Sequence, residues 1–383
     1  RTDAMALPTG PLLPSSHGHA LRQALASARL RESLSLQRPA SLRNATIAGA
    51  QVALAVILVA GLLHVSPWAQ VAGFGGLGAL AALFGRFAPL ARRRGVVLTA
   101  GALLVMPVAL LSLLAWSGLG PVAMLLALSG MAGLLASLAH RMQMGAPGAV
   151  IFILAASAAI SPVDSALVLA GRAGATVLGV AAAWLLCLLT DRLRDLEVAP
   201  PAATPVQATA GARAPKPLTP GYAPVQSARV ALCAALAALL AHAAGWAHPA
   251  WASIGAVAVL QGAHLPGTVH RGWQRTLGTV VGAGIAWAIL SSEPSFWTLL
   301  LAVAVLQVLT EAVIGFNYAL GQIFVTPMAL LMTNMAHHGE AAEMALSRIF
   351  DTTLGAAVGI VLALVLSSLD ERVYLARHHG RAQ

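Results

Sequence analysis

A chain of 383 residues that is 58% hydrophobic and only 9% Asp, Glu, Lys and Arg cannot clothe a water-soluble surface, which takes about 25% charged residues. That composition excludes the several soluble domains the length would otherwise accommodate. The net charge of +10 does not mark a nucleic-acid binder, because the arginines stand between apolar runs and not in one basic patch.

Crossing lipid takes about 20 mostly apolar residues, since backbone polar groups must be satisfied within the segment. Residues 1–45 hold no continuous apolar run of signal-peptide type. Within them, His19–Leu36 mixes Leu and Arg at helical spacing, which fits either an interfacial or a solvated helix. The spans follow in order: 46–63, 67–85, 95–116, 119–139, 147–163 and 171–190, then 228–246, 249–263, 273–291, 295–313, 317–334 and 347–368. The runs at 147–163 and 249–263 are short for a full crossing. Between the two sets of six, residues 191–227 carry Asp191, Arg192, Arg194, Asp195 and Glu197 and then a Pro/Ala-rich stretch, and read as a soluble linker. The sequence thus predicts an all-α polytopic membrane protein of about twelve helices. Its parts are a cytoplasmic segment (1–45), a six-helix membrane half (46–190), a cytoplasmic linker (191–227), a second six-helix half (228–368) and a cytoplasmic tail (369–383).

With both termini inside the cell, 21 of the 23 Lys and Arg residues fall on the cytoplasmic side, as the positive-inside rule requires. The outer loops instead hold Asp164, Glu293, His337, His338, Glu340 and Glu343. The asymmetry accounts for the +10 charge without an anionic macromolecular partner.

The two exceptions, Arg172 and Arg348, match one another. Each opens an R-x3-T-x-L-G run, ending at Gly179 and Gly355, and they lie 176 residues apart. Arg94-Gly95 with Thr99 and Gly101 repeats as Arg271-Gly272 with Thr276 and Gly278, 177 residues on. A looser match pairs Pro67-Trp68 with Pro249 and Trp251. Two matches at one offset predict a duplication. An even number of spans per half makes the repeats parallel, and transporters built from repeats place their substrate site near the midplane where the halves meet.

No metal-protease, nucleophile-elbow, P-loop or dinucleotide motif is present, which argues against an enzyme and against a bound cofactor or metal. Cys187 and Cys233 lie in apolar runs without metal-ligand spacing. His337-His338 and His378-His379 read as solvated residues.

Charge inside a span costs about 2.5–3.5 kcal/mol per residue on insertion scales, so each case calls for a named partner or a function. Arg348 and Asp351 share a helix face. They read either as a local ion pair or as an anion-binding arginine with a carboxyl group that takes a proton when substrate leaves. Arg172 has Ala175 where its counterpart has Asp351; it reads as an anion attractor on a water-filled path or as a snorkelling side chain. Arg271 and Arg275, i and i+4, are either positive-inside anchors or a cytoplasmic approach for carboxylates. Glu311 is a proton-coupling carboxylate or an interfacial one. The eleventh span is the most polar, with Asn317, Tyr318, Gln322, Thr326, Pro327, Thr333 and Asn334, and is either a pathway helix or an interhelical hydrogen-bonding one. Trp251, Trp273, Phe316 and Tyr318 either stack on an aromatic substrate or form an interfacial belt. The candidate substrate-binding set is therefore Arg172, Arg271, Arg275, Arg348, Asn317, Gln322, Thr326 and Trp273, with Asp351 and Glu311 as candidate proton-coupling groups.

Pro249-x-Trp251, the following apolar run, Gly267-Thr268, and Arg271-Gly272-Trp273-Gln274-Arg275-Thr276-Leu277-Gly278-Thr279 with Gly282 resemble the fusaric acid resistance family, which overlaps the aromatic acid exporters. Arg348 to Gly355 resembles that family's last helix, and Pro67-Trp68, Arg94-Gly95 and Arg172–Gly179 resemble it weakly in the first half. The resemblance implies proton-driven efflux of aromatic or other organic carboxylates across a bacterial inner membrane, on a fold similar to that of plant malate channels. Relatives that work with a periplasmic adaptor and an outer-membrane channel make an adaptor a candidate partner. The short segment 191–227 and the short stretch after 370 depart from larger relatives, which carry cytoplasmic domains at those places.

The leading expectation is a proton-coupled exporter of small organic anions embedded in a lipid bilayer, without nucleic-acid partners. The alternatives are a passive anion channel, formed by a homodimer with arginines lining its pore, and a membrane scaffold for a partner protein. Acidic residues within the spans favour the first, since coupling needs a group that cycles its proton.

Overall fold

A computed structural model describes residues 36, 39, 41–195, 222–261, 265–336 and 340–366. The His pairs 337–338 and 378–379, most of the 191–227 segment, the 369–383 tail and all but the last residue of the His19–Leu36 stretch lie outside the described residues. Within them the chain is helical: α1 (Leu42–His64), α2 (Ala72–Ala79), α3 (Leu90–Trp116), α4 (Pro121–Arg141), α5 (Ala149–Ala158), α6 (Ala166–Thr190), α7 (Tyr222–Ala243), α8 (Pro249–Leu260), α9 (Leu265–Leu290), α10 (Phe296–Ile314), α11 (Tyr318–Ala336) and α12 (Ala341–Val365). Seven of these are long and apolar enough to cross a membrane, which makes the protein a polytopic membrane protein.

Local chemistry sets the helix starts. Ser41, Ser165 and Ser295 each accept a hydrogen bond from the backbone N–H three residues on, satisfying one of the orphan donors of a first turn. Pro121 and Pro249 open α4 and α8, where a missing N–H is harmless. Several helices begin five to eight residues before the apolar runs do: α3 at Leu90, α6 at Ala166, α7 at Tyr222, α9 at Leu265 and α12 at Ala341. A hydropathy reading stops at arginine, whereas a helix continues through arginine wherever the side chain finds partners or a polar exit. Apolar stripes face outward, as on α1, where Leu54, Leu58 and Leu62 are exposed at i, i+4 spacing; such a face suits lipid.

The span expected at 67–85 is shorter. It is α2 flanked by 3-10 turns at Ala69–Val71 and Leu80–Leu83, and its four glycines at 73, 75, 76 and 78 lower its intrinsic helicity. With α5 and α8 it makes three helical segments too short to cross alone.

Helix neighbours recur six elements apart. The helix α6 packs on α2 and α3 as α12 packs on α8 and α9, while α1 lies on α10 and α7 lies on α4. The contacts match atom by atom. A methyl group on Gly179 would fall on the Gly75 carbonyl oxygen and one on Gly355 on the Ala252 carbonyl oxygen; the Gly78 and Gly255 α-carbons face the Thr176 and Thr352 carbonyls. The missing side chains let the short helices approach α6 and α12 to backbone contact. Each long helix then sets an arginine over an aromatic ring of its short partner: Arg172 lies 5.3 Å from the Phe74 ring centroid and Arg348 5.0 Å from that of Trp251. Phe74, two positions past α2's start, therefore takes the place opposite Arg172 that the looser sequence match assigned to Trp68.

Residues 191–195 are not free linker. Asp191 and Arg194 are buried in a 3-10 turn, Asp191–Leu193, that extends α6, and 222–227 already belong to α7.

Candidate functional site

Three buried charge groups stand out, and they differ in how fully their members are partnered. The first lies wholly in the first half. Arg93 is completely buried, while its neighbours Arg92 and Arg94 are exposed. Its Nη1 pairs with Asp191 Oδ1 at 2.9 Å, and its Nη2 donates to Gln51 Oε1 at 2.6 Å, the Ala82 carbonyl at 3.2 Å and Cys187 Sγ at 3.3 Å. Arg194 adds a second cation 3.7 Å from the same carboxylate and donates to the carbonyls of Arg86 (2.6 Å) and Ala88 (3.0 Å). This network ties α1, α3 and α6 to the C-terminal end of α2, where orphan carbonyls gather negative charge. Sequence reading assigned Arg93 to topology and Asp191 to the linker; the signal available was the i, i+3 spacing of Asp191 and Arg194 at the end of an apolar run.

The second is the pair of Arg86 with Glu311, which joins the turn after α2 to the last turns of α10. Burial pulls the Arg86 guanidinium down to about 10, which leaves it a cation at neutral pH. Glu311 is thereby held in a bond between the two halves and is not grouped with the other predicted residues.

The third is in the second half, among α8, α9, α11 and α12. Arg271, Arg275 and Thr279 form an i, i+4 stripe on α9 that faces the stripe Tyr318, Gln322 and Thr326 on α11. Arg271 lies 5.3 Å from the Tyr318 ring centroid. Arg275 Nη1 donates to Tyr318 Oη at 3.1 Å and to Gln322 Oε1 at 3.3 Å. Thr326 and Thr279 hydroxyls are 3.4 Å apart. Asn317 Oδ1 caps the start of α11 by accepting from the Ala319 N–H at 2.8 Å. Pro327 cannot donate to the Ile323 carbonyl, and Gly282 brings α9 against that oxygen, where a methyl group would sit 2.8 Å away.

Arg348 completes this group from α12. Arg275 and Arg348 are only 2% and 3% exposed. Among the described residues neither forms an ion pair, and Nε of each is buried without a partner. The expected local pair with Asp351 is thus not made. Asp351, at 0% exposure, accepts from Ser347 Oγ at 3.2 Å through Oδ2 and leaves Oδ1 without a donor. His248 Nδ1 lies 3.3 Å from the same Ser347 hydroxyl and its ring stacks on Trp251 at 4.1 Å. By helix rise, Arg275 stands about 15 Å and Arg348 about 10 Å from the start of its own helix, well inside the bundle.

The predicted residues therefore divide. Arg271, Arg275, Arg348, Asn317, Gln322, Thr326 and Asp351 lie on the faces of α9, α11 and α12 that form this one group. Glu311 does not join it. Trp273, two positions from Arg275 and so on the opposite face, is 40% exposed and points away from the group. Arg172 is in the first half and donates to the carbonyls of Ala159 (3.4 Å), Ser161 (2.9 Å) and Pro162 (2.8 Å), in the turn that follows α5. Sequence reading missed His248, Ser347 and Arg93.

A family model described as fusaric acid resistance protein-like matches residues 235–362, which hold every member of the third group. The uncharacterized membrane protein YvaC of Bacillus subtilis (strain 168) is 36% identical over 129 residues, 33% of this chain and 20% of its own length. Inner membrane protein YccS of Escherichia coli (strain K12) is 36% identical over 91 residues, 24% of this chain and 12% of its own length. The match thus covers a fifth or less of the length of these curated relatives. No solved structure matches the chain.

Proposed function

We propose that this membrane protein, whose residues 235–362 place it with the fusaric acid resistance-like proteins, is a transporter that carries small organic carboxylates, aromatic ones among them, out of a bacterial cell in exchange with the proton gradient. The observation that carries the reading is the pair of buried guanidiniums, Arg275 and Arg348, without a carboxylate partner. A buried charge left unpaired is costly, and a bound anion removes that cost. With Asp351 ionised, the two fully buried arginines and the one acid sum to a single positive charge, which a monocarboxylate neutralises, while the partly exposed Arg271 adds to the attraction. Arg275 Nη1 and Gln322 already define a polar floor, and the Trp251 indole, between His248 and Arg348, offers its apolar edge to an aromatic ring.

Proton coupling falls to Asp351. It is the acid of this group, and Ser347 and His248 lead from it toward the start of α8. The arginine distribution supports a bacterial inner-membrane setting with both termini in the cytoplasm. The repeated contacts of α2–α6 and α8–α12 support two parallel six-helix repeats that arose by duplication.

The test is flux of radiolabelled benzoate in proteoliposomes with an imposed pH gradient. The reading expects uptake that rises with the gradient and saturates. Flux that follows only the benzoate gradient or the membrane potential favours the channel, and no flux above empty liposomes favours the scaffold.

A further inference from the structure

The recurrence of contacts allows each half to be compared with the other position by position. Phe74 answers Trp251, Arg172 answers Arg348, and Gly179 answers Gly355. At the same offset the acid Asp351 meets Ala175, Ser347 meets Gly171, His248 meets Val71 and Arg275 meets Leu98. Asp351, Ser347, His248 and Arg275 thus meet apolar residues or glycine in the first half, while Arg271 and Arg348 meet arginines, Arg94 and Arg172. Arg172 is spent: it donates to the carbonyls of Ala159, Ser161 and Pro162 in the turn that follows α5, whereas Arg348 has no hydrogen-bonding partner among the described residues and keeps a buried, unpartnered Nε.

The reverse holds for rigidity. Arg93, Gln51 and Asp191 lock α1, α3 and α6 to the end of α2. Their second-half counterparts at the described positions are His270 for Arg93 and Ala228 for Gln51. Among the described residues no ion pair lies within the second half.

From this we infer that the two halves have divided the work: the chain binds one carboxylate, not two, in its second half, and the first half is a locked scaffold in which Arg172 fastens the turn after α5. The stoichiometry rests on the function proposed above; the assignment of Arg172 does not. Removing Arg172 leaves the carbonyls of Ala159, Ser161 and Pro162 without their shared donor, which destabilises. Removing an unpaired buried cation relieves a desolvation cost, which stabilises, as positions kept for function often allow.

The experiment has two arms on the purified full chain in detergent. Thermal unfolding is measured for wild type, Arg172→Gln and Arg348→Gln without added anion. The inference expects the midpoint to fall by roughly 4 °C or more for Arg172→Gln and to hold or rise for Arg348→Gln; equal falls in both overturn it. Equilibrium dialysis with radiolabelled benzoate then expects one mole bound per mole of chain, kept in a stabilised Arg172→Gln and lost in Arg348→Gln. Two moles per chain, or loss of binding in Arg172→Gln at unchanged midpoint, overturn the division of labour. If the melting arm behaves as expected and benzoate does not bind to any form, the scaffold assignment stands and the carboxylate reading fails.

Discussion

Arg86 and Glu311 lie in different halves of the chain and form an ion pair, with side chains only 12% and 5% exposed. Breaking a buried pair by removing one partner leaves the other charge uncompensated, at about 3–5 kcal/mol. Glu311→Gln is expected to lower the thermal midpoint in detergent by several degrees, and the exchange Arg86→Glu with Glu311→Arg to recover part of the loss. A midpoint unchanged in Glu311→Gln would show that the pair contributes nothing to holding the halves together.

Arg93 makes a stronger case of the same kind. It is fully buried and has four partners. Arg93→Met strands Asp191 beside Arg194 alone and is expected to cost about 3–5 kcal/mol, read as loss of the monodisperse peak in size-exclusion chromatography. Arg92→Met and Arg94→Met, at exposed positions of the same helix, are expected to leave that peak in place.

The glycine contacts predict a matched pair of defects. Gly179→Ala and Gly355→Ala each drive a methyl group onto a carbonyl oxygen of the short helix opposite, an overpacking cost of at least 1–3 kcal/mol by order of magnitude. Similar falls in melting midpoint are expected for both. A fall in one alone would mean that the two helix crossings are not equivalent.

Asp351→Asn separates binding from coupling. The variant is expected to exchange benzoate across liposomes at equal pH on both sides and to lose the response to an imposed pH gradient. Ser347→Ala is expected to slow the gradient-driven component and leave exchange intact. Retained gradient response in Asp351→Asn would move the coupling group elsewhere.

The lipid-facing character, the number of helices among the described residues and the polarity of α11 were legible from composition and run length alone, because a helix in lipid has to be apolar outside and satisfied inside. The spans expected from 273 and 347 begin six to eight residues inside the helices that start at Leu265 and Ala341, since a charge such as Arg271 looks like the end of a span until its surroundings are known. The stripes Arg271–Arg275 and Gln322–Thr326 were each visible at i, i+4 spacing. That they face one another was not, because nothing in the order of residues says which helix is the neighbour of which. Arg93 sits among three consecutive arginines, and only the packed bundle distinguishes the middle one. Trp273 reads in the sequence as an aromatic stacker, yet it lies two positions from Arg275, which turns its side chain to the far side of α9.

The most direct test is where a heavy-atom carboxylate settles. Crystals of the full chain grown with 4-iodobenzoate should give an anomalous iodine peak beside Trp251, with the carboxylate between Arg275 and Arg348. A peak at Arg172 instead, or equal peaks in both halves, would contradict the account.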